Sequence, residues 1–164
     1  MEGIFNIRSP EELFVKLRSD IENMRENPVD EHAAFNFFIT AESLVDWYLP
    51  GRENKKNREN LREKSIILQI VSHIASRAKH FKVEAKHHSS VTESRRNGGW
   101  YAGNWFASDW YASKWFDRGG LYLELDGKAK EELGTIISSI DLAMQVLEFW
   151  ENELGIEAGN DSII

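Results

Sequence analysis

Cysteine is absent from the 164 residues. Disulfides, thiolate nucleophiles and thiolate zinc sites are therefore excluded. Long apolar runs are missing too: no stretch approaches the ~20 apolar residues that a membrane-crossing helix needs. The opening MEGIFNIRSPEE has no basic start followed by an apolar run, so no secretory signal is visible. A cytoplasmic, non-membrane protein is expected. Only three prolines occur, and Pro10, Pro28 and Pro50 each fall where a helix should start or stop. There is no glycine-rich phosphate loop, no serine-nucleophile elbow and no His-Glu-x-x-His motif. Gly98-Gly99 and Gly119-Gly120 read as turns. No cofactor is implied.

What is present begins with an uneven charge. The chain is long enough for one domain with a real core. Its net charge of −7 hides a basic segment. Residues 52–96 carry 12 Lys/Arg against 5 Asp/Glu, and the remainder carries 8 against 22. Two explanations are open. An anionic partner could meet the basic segment, or the segment lies against acidic helices of the same chain or is simply solvated.

Ser9-Pro10-Glu11-Glu12 is a helix start: Ser9 caps, Pro10 suits the first position and Glu12 completes a capping box. Leu13, Leu17, Ile21 and Met24 mark its inner face, and Asn27-Pro28 ends it. Asp30 starts a second helix, in which Ala34, Phe37, Phe38, Ala41, Leu44, Val45 and Tyr48 keep the three-four spacing. Pro50-Gly51 closes it. Ile67, Ile70, Val71, Ile74, Ala78 and Phe81 predict a third helix over about residues 58–81. Residues 82–99 show no period and read as a long loop. Leu121-Tyr-Leu-Glu-Leu125 alternates like a strand and would pair with residues 110–116 in a hairpin. Leu133, Ile136, Ile137, Ile140, Met144, Leu147 and Trp150 predict a last helix over residues 128–154, closed by Gly155. The expected fold is mainly α: an antiparallel bundle of four long helices, with a small aromatic-rich β-hairpin insert between the third and fourth. Residues 156–164 form a tail expected to be disordered.

The most unusual stretch is WYAGNWFASDWYASKWFDRGG, in which Trp100, Trp105, Trp110 and Trp115 recur every five residues. A five-residue step turns a helical position by ~140° and alternates faces in a strand, so neither element lines the rings in one row. An aromatic lid or hairpin on the bundle, or a dimer contact, is expected. A stacking platform for bases or sugars and a short β solenoid are the alternatives.

The chemical signal lies on the third helix. With His73 at 0° on a helical wheel, Arg77 falls near 40° and His80 near −20°, at ~100° per residue. The apolar stripe centres roughly 100° away, which puts this face at the edge of the core. Histidine can move a proton near neutral pH and arginine can hold a phosphate. The trio suits metal-independent RNA cleavage, with His80 as acid or base, Arg77 stabilising the phosphorane and His73 in support. The plain alternative is a boundary stripe that satisfies neighbouring groups. His80, Glu84, His87 and His88 form a weaker candidate for a metal set.

Several stretches carry a family resemblance: Phe35-Asn-Phe-Phe-Ile-Thr-Ala41 with Val45-Asp-Trp47, Ile74-Ala75 with Ala78-Lys-His-Phe81, then Asp126-Gly127 and Val146-Leu-Glu-Phe-Trp-Glu151. Together they resemble small bacterial and prophage helical proteins. These in turn look like the HEPN (higher eukaryotes and prokaryotes nucleotide-binding) superfamily. The resemblance spans roughly residues 30–152 and implies a single HEPN-like domain over residues 1–155, with the β insert at about 100–126. It implies a helical bundle that forms homodimers. It also implies a metal-independent ribonuclease or RNA-binding protein of a toxin–antitoxin or phage-defence system. The family motif is an Arg, four to six residues, then a His. Measured back from His80, that Arg would stand at His73, Ile74 or Ala75, none of which is Arg; either Arg77 takes the role from a shifted register, or the chain is a non-catalytic member used for binding. Arg25 and His32 have the right separation, but Pro28 lies between them. A non-catalytic protein-interaction or dimerisation module is the class-distinct expectation.

Overall fold

The computed structural model describes residues 6–79, 90–97 and 119–156. They form a mainly helical protein with a small three-stranded antiparallel sheet. Helix α1 (Pro10–Glu26) starts as the sequence predicts, with Ser9 Oγ accepting from the Glu12 N–H. The Glu12 carboxylate reaches back one residue further than a standard capping box and accepts from the Arg8 N–H. Leu13, Phe14, Leu17, Ile21 and Met24 are buried along its inner face. Helix α2 (Glu31–Tyr48) is capped by Asp30, which accepts from the N–H groups of His32 and Ala33. It buries Ala34, Phe37, Phe38, Ala41, Leu44 and Val45, and the chain leaves it through Gly51 at φ +86°.

The expected third helix is two helices. After a 3-10 turn (Arg52–Asn54), α3 spans Lys55–Lys64 and α4 spans Ile66–Lys79. The break is Ser65, whose backbone is extended at φ −123° and ψ 114°. Its hydroxyl accepts from the Leu68 N–H and so caps the new helix. A serine that bonds the backbone locally competes with continued helix. The inner face of α4 also differs from expectation. Ile66, Leu68, Ile70, Val71, His73 and Ala75 are buried, whereas Ile67 and Ile74 are only partly so. The helix is apolar on most sides and touches α2, α6 and the sheet, so periodicity alone could not fix its rotation.

Strand β1 (Val91–Asn97) lies within the stretch expected to be a loop. It pairs with β2 (Gly120–Leu125), Ser94 facing Leu123 and Arg96 facing Leu121. Only Val91 in β1 is apolar and buried, so the strand left no alternating signal in the sequence. The expected strand at 121–125 is present, but its described partners are β1 and β3. The expected partner at 110–116, the tryptophan repeat and residues 157–164 lie outside the described residues.

The expected last helix is also divided. Helix α5 (Gly127–Leu133) stops at Gly134, φ +89°, then β3 (Ile136–Ser138) pairs with β2, Leu123 facing Ile137. Ser138 then caps α6 (Ser139–Leu154) by accepting from the Asp141 N–H. Ile136 and Ile137 fit the helical stripe by spacing, but β-branched residues after a glycine equally suit a strand. Gly155, φ +65°, closes α6 as predicted. One core unites the elements, with Phe14, Leu17, Phe37, Leu44, Leu68, Leu142 and Trp150 joined by Leu123, Leu125 and Ile137 of the sheet.

Ser65→Ala should destabilise the protein by about 1 kcal/mol in urea unfolding, the usual cost of a lost helix cap. An unchanged or raised midpoint would mean that the segment can run on as the single helix its periodicity describes.

Candidate functional site

Two of the three site residues predicted from the sequence meet at one place. His73 and Arg77 lie one turn apart on α4 and both face the start of β1. His73 Nδ1 accepts from the Val91 N–H at 3.0 Å and lies 3.3 Å from Ser90 Oγ. Arg77 Nη1 donates to the Thr92 carbonyl at 3.2 Å. The pairing of β1 with β2 explains why these groups are available. Val91 faces Leu125 and Glu93 faces Glu124, which leaves Thr92 as a bulge with no facing residue. Side chains from α4 supply the partners that β2 does not.

The two residues differ in access. His73 is 1% exposed, inside the core rather than at its edge as the helical wheel predicts. Its Nδ1 lone pair is committed to a backbone donor. Arg77 is exposed. His80 lies outside the described residues, as do Glu84, His87 and His88 of the metal alternative. Among the described residues no three His, Asp or Glu side chains converge as metal ligands. Arg25 and His32 stand on different helices, separated by the turn at Pro28, as expected.

The basic segment is partly neutralised from within. Arg58 meets Asp46 at 3.0 Å and donates to the carbonyls of Leu49 and Gly51. Arg62 meets Glu42 at 2.7 Å. Arg95 meets Glu93 at 3.0 Å and Glu124 at 2.8 Å. The Glu42–Arg62 pair is the most enclosed of these, with the two side chains 12% and 20% exposed. Burial pushes the Glu42 carboxyl above its usual range, outweighing the nearby Arg62; Asp46 adds to the rise and Lys79 opposes it. The helical reading missed this pair. Its signal was there: Glu42 and Asp46 are four apart on α2, and Arg58 and Arg62 are four apart on α3, so the two rows match.

Two open clefts lie elsewhere. One of about 340 Å³, at the elbow between α1 and α2, is lined by Asp20, Asn23, Asn27, Asp30, His32 and Asn36, among others. The other, of about 410 Å³ between α1 and α6, includes Ile21, Arg25, Met144, Leu147 and Glu148. Neither includes a predicted site residue. Among the described residues, no helix is long and apolar enough to cross a membrane. Compared with family models, curated proteins and solved structures, the chain matches none.

His73→Ala orphans the Val91 N–H and should cost about 1–3 kcal/mol in denaturant unfolding. His73→Asn, which keeps an acceptor, should recover part of that loss; equal losses would show that ring packing, not the acceptor, is what matters. Glu42 sets a pH dependence. Its raised carboxyl takes up a proton more readily in the folded chain than in the unfolded one. The stability this confers is full below the ordinary carboxylate range and is lost as pH rises through the raised value. Glu42→Gln stays neutral at every pH, so its unfolding temperature should gain on the wild type between about pH 4 and pH 7. A gap that moves the other way would mean that ion pairing outweighs burial.

Proposed function

We propose that the chain is a non-catalytic interaction module, working as a homodimer or against a protein partner, on a HEPN-like frame of four long helical segments. The observation that carries this is the use of His73 and Arg77 to hold the first residues of β1. A buried imidazole whose lone pair holds a backbone N–H is poorly placed to move a substrate proton. Arg58, Arg62 and Arg95 are engaged with carboxylates of the same chain, which weakens the case for a polyanion partner. The sequence between β1 and β2 also has the composition of an interface. Trp100, Trp105, Trp110 and Trp115 are the kind of aromatic anchor that dominates binding hot spots.

The alternative is a metal-independent endoribonuclease or RNA-binding protein of a bacterial or phage conflict system. One observation favours it: Arg77 is exposed and stands three positions before His80. His80 would be the acid or base, Arg77 the phosphate ligand and His73 a support.

Light scattering should give twice the chain mass of 19.0 kDa, and replacing the four tryptophans by serine should return the protein to a monomer. RNA incubated with the protein and EDTA should stay intact. Cleavage that disappears in both His80→Ala and Arg77→Ala, with circular dichroism unchanged, would transfer the conclusion to the ribonuclease.

A further inference from the structure

Helix α3 is attached to the protein differently from α1, α2, α4 and α6. It buries no residue. Leu61 is its only apolar side chain and is partly buried against the core. Its ties to α2 and the following turn are polar: Arg62 to Glu42, and Arg58 to Asp46, to the Leu49 carbonyl and to the Gly51 carbonyl. Both of its ends are joints. Gly51, at φ +86°, and the 3-10 turn precede it, and the extended Ser65 follows.

The ion pairs among these ties are weak, which leaves the two carbonyl bonds of Arg58 as the firmest hold on the helix. Asp46 is 62% exposed, and a pair at the surface contributes little. The Glu42–Arg62 pair is enclosed but incomplete. Glu42 Oε2 and Arg62 Nε are buried with no hydrogen-bond partner among the described residues. A pair satisfied only in part returns little of the solvation it gives up. The other four long helices share the apolar core instead.

We propose that α3 is a releasable arm, which leaves α2 as a unit about Gly51 and Ser65 while α1, α2, α4 and α6 stay packed. A free helix of ten residues does not sustain itself in water, so release and melting coincide. Release also turns Arg58 and Arg62 from internal counter-ions into solvent-facing cations beside Lys55, Lys56 and Lys64.

Native-state hydrogen exchange on the full chain, read by mass spectrometry, tests the arm. The amides of residues 59–64 should exchange at least about tenfold faster than those of α2 and α6. Arg58→Ala removes three polar contacts and should speed α3 by about another tenfold. Alanine is the better helix former, so a fall in intrinsic helicity is not the cause. Glu42→Leu combined with Arg62→Met replaces the incomplete pair with apolar side chains and should slow α3 severalfold. Exchange of α3 in step with α2 and α6 overturns the proposal. So does fast exchange that either variant leaves unchanged.

Discussion

Where β1 meets the helices, a backbone N–H and a backbone carbonyl must be satisfied by something other than the neighbouring strand. The Val91 N–H and the carbonyl of the bulged Thr92 are those groups, and His73 and Arg77 satisfy them from a single turn of α4. The position of the whole sheet follows from this contact and from the few apolar residues beside it. Val91 enters the core next to His73, and β2 then aligns on β1 so that Leu123 and Leu125 reach the same core. β3 aligns on β2 and brings Ile137 inward, and the chain passes from there directly into α6. A histidine and an arginine at this spacing resemble catalytic equipment, yet one of them acts as a structural acceptor.

A second theme is charge met inside the chain. Of the two explanations that the uneven charge leaves open, the internal one accounts for Arg58, Arg62 and Arg95. Lys55, Lys56, Lys64, Arg77, Lys79 and Arg96 are exposed. The two kinds of contact hold with different strength. Apolar burial joins α1, α2, α4 and α6, whereas long side chains bridge α3 to α2. The difference explains how one molecule can combine a firm core with a loosely attached helix.

The parts of the fold legible in the sequence are those where local chemistry and burial agree. Ser9, Asp30 and Gly155 mark helix ends that form as read, because a cap depends on neighbouring backbone groups. The inner faces of α1 and α2 follow the same logic. The misreadings come where tertiary contacts decide. Ile136 and Ile137 continue a helical stripe by number, yet Gly134 and the open edge of β2 draw them into a strand. Ser65 looks like any polar residue inside a helical run and serves as a cap instead. Of the candidate site, the helical wheel places His73 and Arg77 on one face, and they do share a target. It does not place His73 in the core, since the rotation of α4 depends on partners that its own sequence does not name.

The sheet also limits how two copies could join. Among the described residues β1 is an edge strand of seven residues, and a bare edge of that length invites another chain to extend the sheet. This edge carries Glu93, Arg95 and Arg96, and it is bent by the bulge at Thr92. β3, at the opposite edge, is only three residues long. Charge, curvature and shortness each spoil a template for strand addition. Neither edge of the described sheet therefore offers the long, flat, apolar template on which a ribbon of β-structure could grow.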